Sequence, residues 1–320
     1  MRISIGPIVA AAGEVGFVAG KSLQMWRPGD GMRNPGHLDD EIPHEPWRIT
    51  IAGGSVFCVG REAAYSLPMG SGKRGKRVGM YVAQGALDTL WLGIRREEDT
   101  LFAELVSGEG DLVALHEIGE VEEGVLQPVS NGETALLVSD RGRVWEMGHG
   151  YLGSLGLDQV MYATMLEGQV LAVGRKSGSI HVASMTVGGI LGVSHPISGL
   201  IDVACPPMVA GGKLVLVGRQ PDRVFTIEPL TLRVEAEPSH GFMNVESALM
   251  LETSQGPFAV LVGADHNQKC VSLVNTQTGY VPGRILSAGS KASVNIIAAD
   301  GMLFVAQSQQ EESRISAYKL

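Results

Sequence analysis

Three arginines recur at matching points of this sequence. Arg61, Arg175 and Arg219 directly follow the pairs Val59-Gly60, Val173-Gly174 and Val217-Gly218, and Arg95, Arg141 and Lys176 fall nearby in comparable settings. Guanidinium groups suit carboxylate or phosphate partners, because their planar fork donates two parallel hydrogen bonds. If equivalent hairpin tips carried Arg61, Arg95, Arg141, Arg175 and Arg219 to one face, they would form a positive ring able to hold an acidic partner. Glu62, Glu97, Glu98, Asp99 and Asp222 neutralise part of such a ring. Charge that merely solvates turns is the plainer account.

Histidine repeats in the same way. His37, His116, His195 and His240 each lie 23 residues before positions 60, 139, 218 and 263, which are corresponding points of a repeat. A metal centre would need the four rings to converge to ligand distances of about 2 Å, which separate repeats do not favour. A structural role, tying a loop to its strand, fits the spacing better. The segment from Gly70 to Lys76 satisfies GxxxxGK, but Arg77 stands where a phosphate loop needs Ser or Thr, and a strand-like run follows instead of a helix. A basic loop is the better reading. The stretch 27–46 is the longest without repeat character. It carries His37, Asp39, Asp40, Glu41 and His44, in no spacing of a known metal site, and an acidic surface loop accounts for it. GxSxG and HExxH are absent, and no Cys-His signature is found.

The elements that must position these residues are legible from composition and pattern. Of 320 residues, 44% are hydrophobic and 18% charged, with 43 glycines, which excludes disorder and suits short strands joined by tight turns. The net charge of −9 disfavours general nucleic-acid binding. No apolar run is long enough to span a bilayer. Cys58, Cys205 and Cys270 show neither CxxC nor zinc spacing, and three free thiols in apolar runs point to a reducing, cytoplasmic setting. Arg2 and the run from Ile3 to Ala12 loosely imitate a signal peptide, but Gly6 and Pro7 interrupt it and we read it as strand. Export is the weaker alternative.

One pattern recurs along the chain: a short apolar run ends in a small residue, then come a polar turn and an alternating strand. Val56 to Gly60, Val170 to Gly174 and Leu214 to Gly218 are clear copies, and Leu90 to Gly93 is a weak one. The small residues fall at 19, 60, 93, 139, 174, 218, 263 and 306, a mean interval of 41. That period belongs to four-stranded propeller blades, and no sustained helical periodicity competes with it.

The runs Phe225 to Leu232 and Ser272 to Gly279 resemble blade ends of the WD40-like and quinoprotein-like β-propeller superfamily. The resemblance implies an all-β fold with 1–320 as a single closed β-propeller. Eight blades are expected, with Arg2 to Ile5 sealing the ring as the missing strand of the last repeat. The third repeat is the weak point, and seven blades plus an irregular insertion is the alternative. The Trp-Asp pair of true WD40 repeats is missing, as is the tryptophan pattern of quinone-dependent dehydrogenases, so no cofactor is expected. The expected function is a non-catalytic scaffold for a protein partner. The rival is an enzyme or ligand-binding propeller holding an anionic small molecule in its central channel.

Overall fold

In the computed structural model, all residues are described except 1–4, 12–13, 20–21, 28–30, 34–47, 60–63, 69–75, 80, 82, 88, 121–125, 132–133, 187–192, 221, 237, 242–243, 266, 300, 310–311 and 320. Every element among the described residues is a strand. The first sheet is β1 (Ile5–Ala11), β2 (Glu14–Ala19), β3 (Ser22–Arg27) and β4 (Gly31–Arg33). The second is β5 (Arg48–Ala52), β6 (Ser55–Val59), β7 (Ala64–Pro68) and β8 (Lys76–Gly79). The third is β9 (Ala83–Leu87), β10 (Leu90–Glu97), β11 (Thr100–Val106) and β12 (Leu112–Glu120). The fourth is β13 (Leu126–Ser130), β14 (Ala135–Ser139), β15 (Arg143–Glu146) and β16 (Gly150–Ser154). The fifth is β17 (Gln159–Leu166), β18 (Gln169–Lys176), β19 (Ser179–Thr186) and β20 (Val193–Pro196). In the sixth, β21 (Asp202–Val203) and β22 (Met208–Ala210) both pair β23 (Lys213–Gln220), followed by β24 (Val224–Ile227) and β25 (Val234–Ala236). The seventh is β26 (Asn244–Thr253), β27 (Gly256–Asp265), β28 (Gln268–Asn275) and β29 (Arg284–Gly289). The last sheet is β30 (Ser293–Ala299), β31 (Met302–Gln309) and β32 (Glu312–Lys319).

Seven of these sheets hold four strands or more, and the last holds three among the described residues. Seven complete blades are therefore seen where the repeat predicts eight. The reason is physical: the apolar anchor marks the second strand of a sheet, and its presence does not guarantee a fourth. Of the expected closing strand, residues 2–4 lie outside the described residues, and Ile5 sits in β1 opposite Ala19. The third repeat, expected to be the irregular one, is a complete four-stranded sheet. The expected loop at 27–46 is partly strand, since Gly31–Arg33 pairs back onto Met25 to Arg27. The rest of it, with His37, lies outside the described residues.

The anchor runs are continuously apolar because both of their faces are covered, which removes the usual alternation. On β23, Leu214 and Leu216 pack with Leu171, Val173 and Phe225, while Val215 and Val217 pack with Ala259 and Leu261. Strand β27 repeats this: Val260 and Val262 turn to Leu303 and Val305. The closing small residue has its own cause. Val160 pairs Gly174 and Tyr162 pairs Val173, so Met161 is the extra residue of a bulge that faces the glycine. Gly263 faces a like bulge at Glu246.

By packing, the chain divides into two compact units. One comprises Met1–Val138, Trp145–Tyr151 and Glu311–Ser313; the other comprises Ser139–Val144, Leu152–Gln310 and Arg314–Leu320. Within the first unit the leading strands touch in series, β1 on β5, β5 on β9 and β9 on β13. Within the second, β22 touches β26 and β26 touches β30.

The two blade ends singled out in the sequence are one turn built twice. Asn275 N–H donates to the Tyr280 carbonyl at 2.9 Å and Gly279 N–H to the Asn275 carbonyl at 2.9 Å; Glu228 with Arg233 (3.0 Å) and Leu232 with Glu228 (2.8 Å) do the same. Gly279 has φ +71, and Leu232 takes the same left-handed state at φ +55. That state costs a non-glycine residue about 1–2 kcal/mol. Burial of the Leu232 side chain against Ile227 and Leu200 offsets it, at roughly 1.5–3 kcal/mol.

Candidate functional site

The arginines expected to line a face are largely engaged within the chain. Arg219 is the next-to-last residue of β23, and its Nη1 lies 3.0 Å from Asp202 Oδ2. On β18, Arg175 donates from Nη2 to the Ile201 carbonyl at 3.4 Å. Those two are thus brought together on one short segment, where they brace the start of β21. Arg141 is exposed in the β14–β15 turn. Arg61 lies outside the described residues. Lys76 and Arg77, the end of the GxxxxGK run, belong to strand β8, so no helix N-terminus follows that loop.

Arg95 belongs to a cluster that the sequence does not announce. Its Nε donates to Glu104 Oε1 at 2.7 Å, its Nη1 also pairs Glu97, and its guanidinium lies 5.1 Å from the Phe102 ring centroid. The Tyr81 hydroxyl donates to the other oxygen of Glu104 at 2.6 Å. Burial, then the Glu104 carboxylate, raise the Tyr81 pKa above the ordinary phenol range, so the hydroxyl remains a donor. Tyr81 fits only because position 93 is glycine: a Cβ there would come within 2.5 Å of the ring. The cluster thus holds Glu104 by both of its carboxylate oxygens. What it does is stiffen one face of the third sheet.

That face continues onto β12. Glu104 stands opposite Leu115, and Phe102 opposite Glu117. Ala114 and Ile118, on the other side of β12, pack on the core of Leu92, Ile94 and Leu105. The strand register therefore turns Leu115 and Glu117 outward, and Val113 is the extra residue of a bulge beside them. Leu112, Val113 and Leu115 are 58%, 56% and 49% exposed, which puts three large apolar side chains in water on a single strand.

The histidines differ from one repeat to the next. His116 is half-buried on β12, near Gly148, and His195 is exposed on β20. His240 is buried, and its Nε2 lies 2.9 Å from the Gly218 carbonyl, to which it donates. Its own N–H donates to the Asp222 carbonyl at 3.0 Å. Burial lowers the His240 pKa below the ordinary imidazole value, with the Gly218 carbonyl and Asp222 pulling the other way. The folded state then binds this proton at lower pH than the unfolded chain does. Stability is therefore lost as pH falls below the unfolded value of about 6.5. His181, lowered by burial and then by Lys176, acts in the same direction. Urea midpoints measured from pH 7 to pH 5 should fall for the wild type and fall less steeply for His240→Gln. Equal slopes would remove His240 as a source of the pH dependence.

All three cysteines are free and buried, and burial pushes the Cys58 and Cys205 thiols up to about 12. They are packing groups rather than nucleophiles. No group of three metal-ligating side chains occurs among the described residues, and no helix there is long and apolar enough to cross a membrane.

No family model and no curated protein matches this sequence. Solved structures do resemble it. Dihydro-heme d1 dehydrogenase NirN in complex with DHE superposes with a TM-score of 0.62 at 12% identity, over 89% of this chain and 67% of that one. BamB from Moraxella catarrhalis gives 0.55 at 15% identity, over 99% and 96%. A catalytically inactive virginiamycin B lyase from Staphylococcus aureus with quinupristin gives 0.55 at 9% identity, over 100% and 96%. At such identities the likeness shows the fold alone, and that fold is the β-propeller.

Proposed function

We propose that this chain is a non-catalytic interaction propeller that presents a strand edge to a protein partner. The observation that carries the reading is the exposed apolar strip of Leu112, Val113 and Leu115 on β12. Holding apolar surface in water forgoes about 25 cal/mol per Å², and grouped exposure of this kind marks interaction surfaces. The stiff Tyr81–Glu104–Arg95 cluster behind the strip supports it, because a preorganised surface loses little freedom on binding. In this proposal Arg175 and Arg219 serve as braces. The three buried free cysteines support a reducing compartment, and we include a cytoplasmic setting in the proposal.

The rival reading, an enzyme or ligand-binding propeller, draws on neighbours named as a dehydrogenase and a lyase. Propellers serve both purposes, so fold does not choose between them. Bait experiments from native lysate can. Wild type and Arg175→Glu/Arg219→Glu should both retain one stoichiometric protein, and Val113→Glu/Leu115→Glu should lose it while keeping the wild-type circular dichroism. If the wild type retains no protein but gains thermal stability from small anionic compounds, the ligand-binding reading replaces this one.

A further inference from the structure

We infer that the free edge of β12 accepts an extended segment of the partner as an added strand, and that this segment alternates basic and apolar residues. The inference rests on the interaction reading and gives it a site and a partner chemistry. Strand β12 ends its sheet, in the order β12-β11-β10-β9, and no other strand pairs its outer edge among the described residues. Every second residue of an edge strand points its N–H and C=O away from the sheet, ready for a further strand.

Edges are ordinarily blunted by shortness, lysine or proline. The strands that come last in chain order in the other four-stranded or larger sheets, β4, β8, β16, β20, β25 and β29, run three to six residues, whereas β12, last in its own, runs nine and contains neither Lys nor Pro. It exposes apolar side chains instead, and its bulges at Val113 and Ile118 leave Ala114 to Glu117 as the regular run open to pairing. Its register cannot slip to hide them, because Ala114 and Ile118 are held in the core on the opposite side.

Charge names the partner. The turns of this sheet expose Glu97, Glu98 and Asp99 at one end and Glu109 and Asp111 at the other. Glu117 shares the outward side of β12 with Leu115. A second copy of β12 would set like charges against one another, and nucleic acid would be repelled. A strand with Lys or Arg alternating with Val or Leu satisfies the edge, the apolar strip and the acidic surround together.

The test uses a labelled ten-residue peptide of alternating Lys and Val, titrated with the full chain by fluorescence anisotropy. Binding is expected, and should weaken by about tenfold or more for Val113→Lys/Leu115→Lys and for a Glu-Val peptide. N-methylation of alternate residues should abolish binding when it blocks one edge of the peptide and leave it intact when it blocks the other. Equal binding by the two N-methylated forms would overturn strand addition, equal binding by the Glu-Val peptide would overturn the charge assignment, and no binding would overturn both. Concentration-dependent dimerisation lost in Val113→Lys/Leu115→Lys would overturn the basic partner in favour of a second copy. A lysate partner lost by Val113→Glu/Leu115→Glu, with a peptide that does not bind, sinks this inference alone and leaves the interaction reading standing.

Discussion

Trp91→Ala should cost about 3–5 kcal/mol of stability. The indole is fully buried, stacked on Phe57 with centroids 5.0 Å apart and planes within 1°, and met edge-on by Tyr81 at 4.7 Å. Around it lie Ala52, Val59, Ala64 and Val106, contributed by two neighbouring sheets. Those side chains hang from paired strands that cannot close over the vacated volume, so the cavity persists and adds to the lost transfer energy. Each aromatic pairing is worth a further ~0.5–1.5 kcal/mol beyond area. Trp91→Phe keeps part of the stacking and should lose less. Urea unfolding followed by circular dichroism reads both variants, and a loss for Trp91→Ala under ~1 kcal/mol would show that the pocket collapses freely.

A second consequence follows from Tyr81. Its ring is wedged between Trp91 and the space left by Gly93, and its hydroxyl orients Glu104. Removing the indole frees the ring, and Glu104 then loses the donor to its Oε2 and keeps only the bond from Arg95 to its Oε1. Stability and the proposed binding face are therefore coupled through a single aromatic contact. In the peptide titration, Trp91→Ala should weaken binding without any change on β12 itself.

How far the sequence reveals this depends on the range of the interaction. The anchors were legible because each reports a local demand: two covered faces make Leu214 to Val217 uniformly apolar, and a bulge across the pair leaves room only for Gly174. Gly93 meets a different demand, a tyrosine twelve residues upstream, and its repeat accordingly read as irregular although its sheet is complete. The tip arginines stood out by position, yet their acceptors did not. Asp202 lies 17 residues before Arg219, and Ile201 lies 26 after Arg175, separations that no local pattern encodes. Glu104 is nearer, but β11 pairing alone sets it beside Arg95. The exposed strip on β12 was hidden for a further reason. Alternation in LVALHEIGE shows that one side is buried, and which side faces water depends on the neighbouring core.

Gly174→Ala should destabilise by about 2–3 kcal/mol, although alanine is ordinarily the mildest replacement for glycine. A Cβ at 174 would lie 2.1 Å from the Gln159 carbonyl oxygen and 3.0 Å from Val160 Cα. Both are backbone atoms of the bulged strand, so no side chain can rotate aside. Relief requires β17 to move off β18. That movement would stretch the hydrogen bond from Asp158 N–H to the Arg175 carbonyl, now 2.8 Å. Gly168, at the far turn of the same hairpin, is the control: its φ is +75, but nothing lies within 4 Å of its Cβ position. Gly168→Ala therefore bears only the left-handed backbone cost of ~1–2 kcal/mol. Amide exchange separates the two causes. The Asp158 amide should exchange faster in Gly174→Ala and unchanged in Gly168→Ala, whereas equal protection in both would mean that the bulge yields without opening the strand pair.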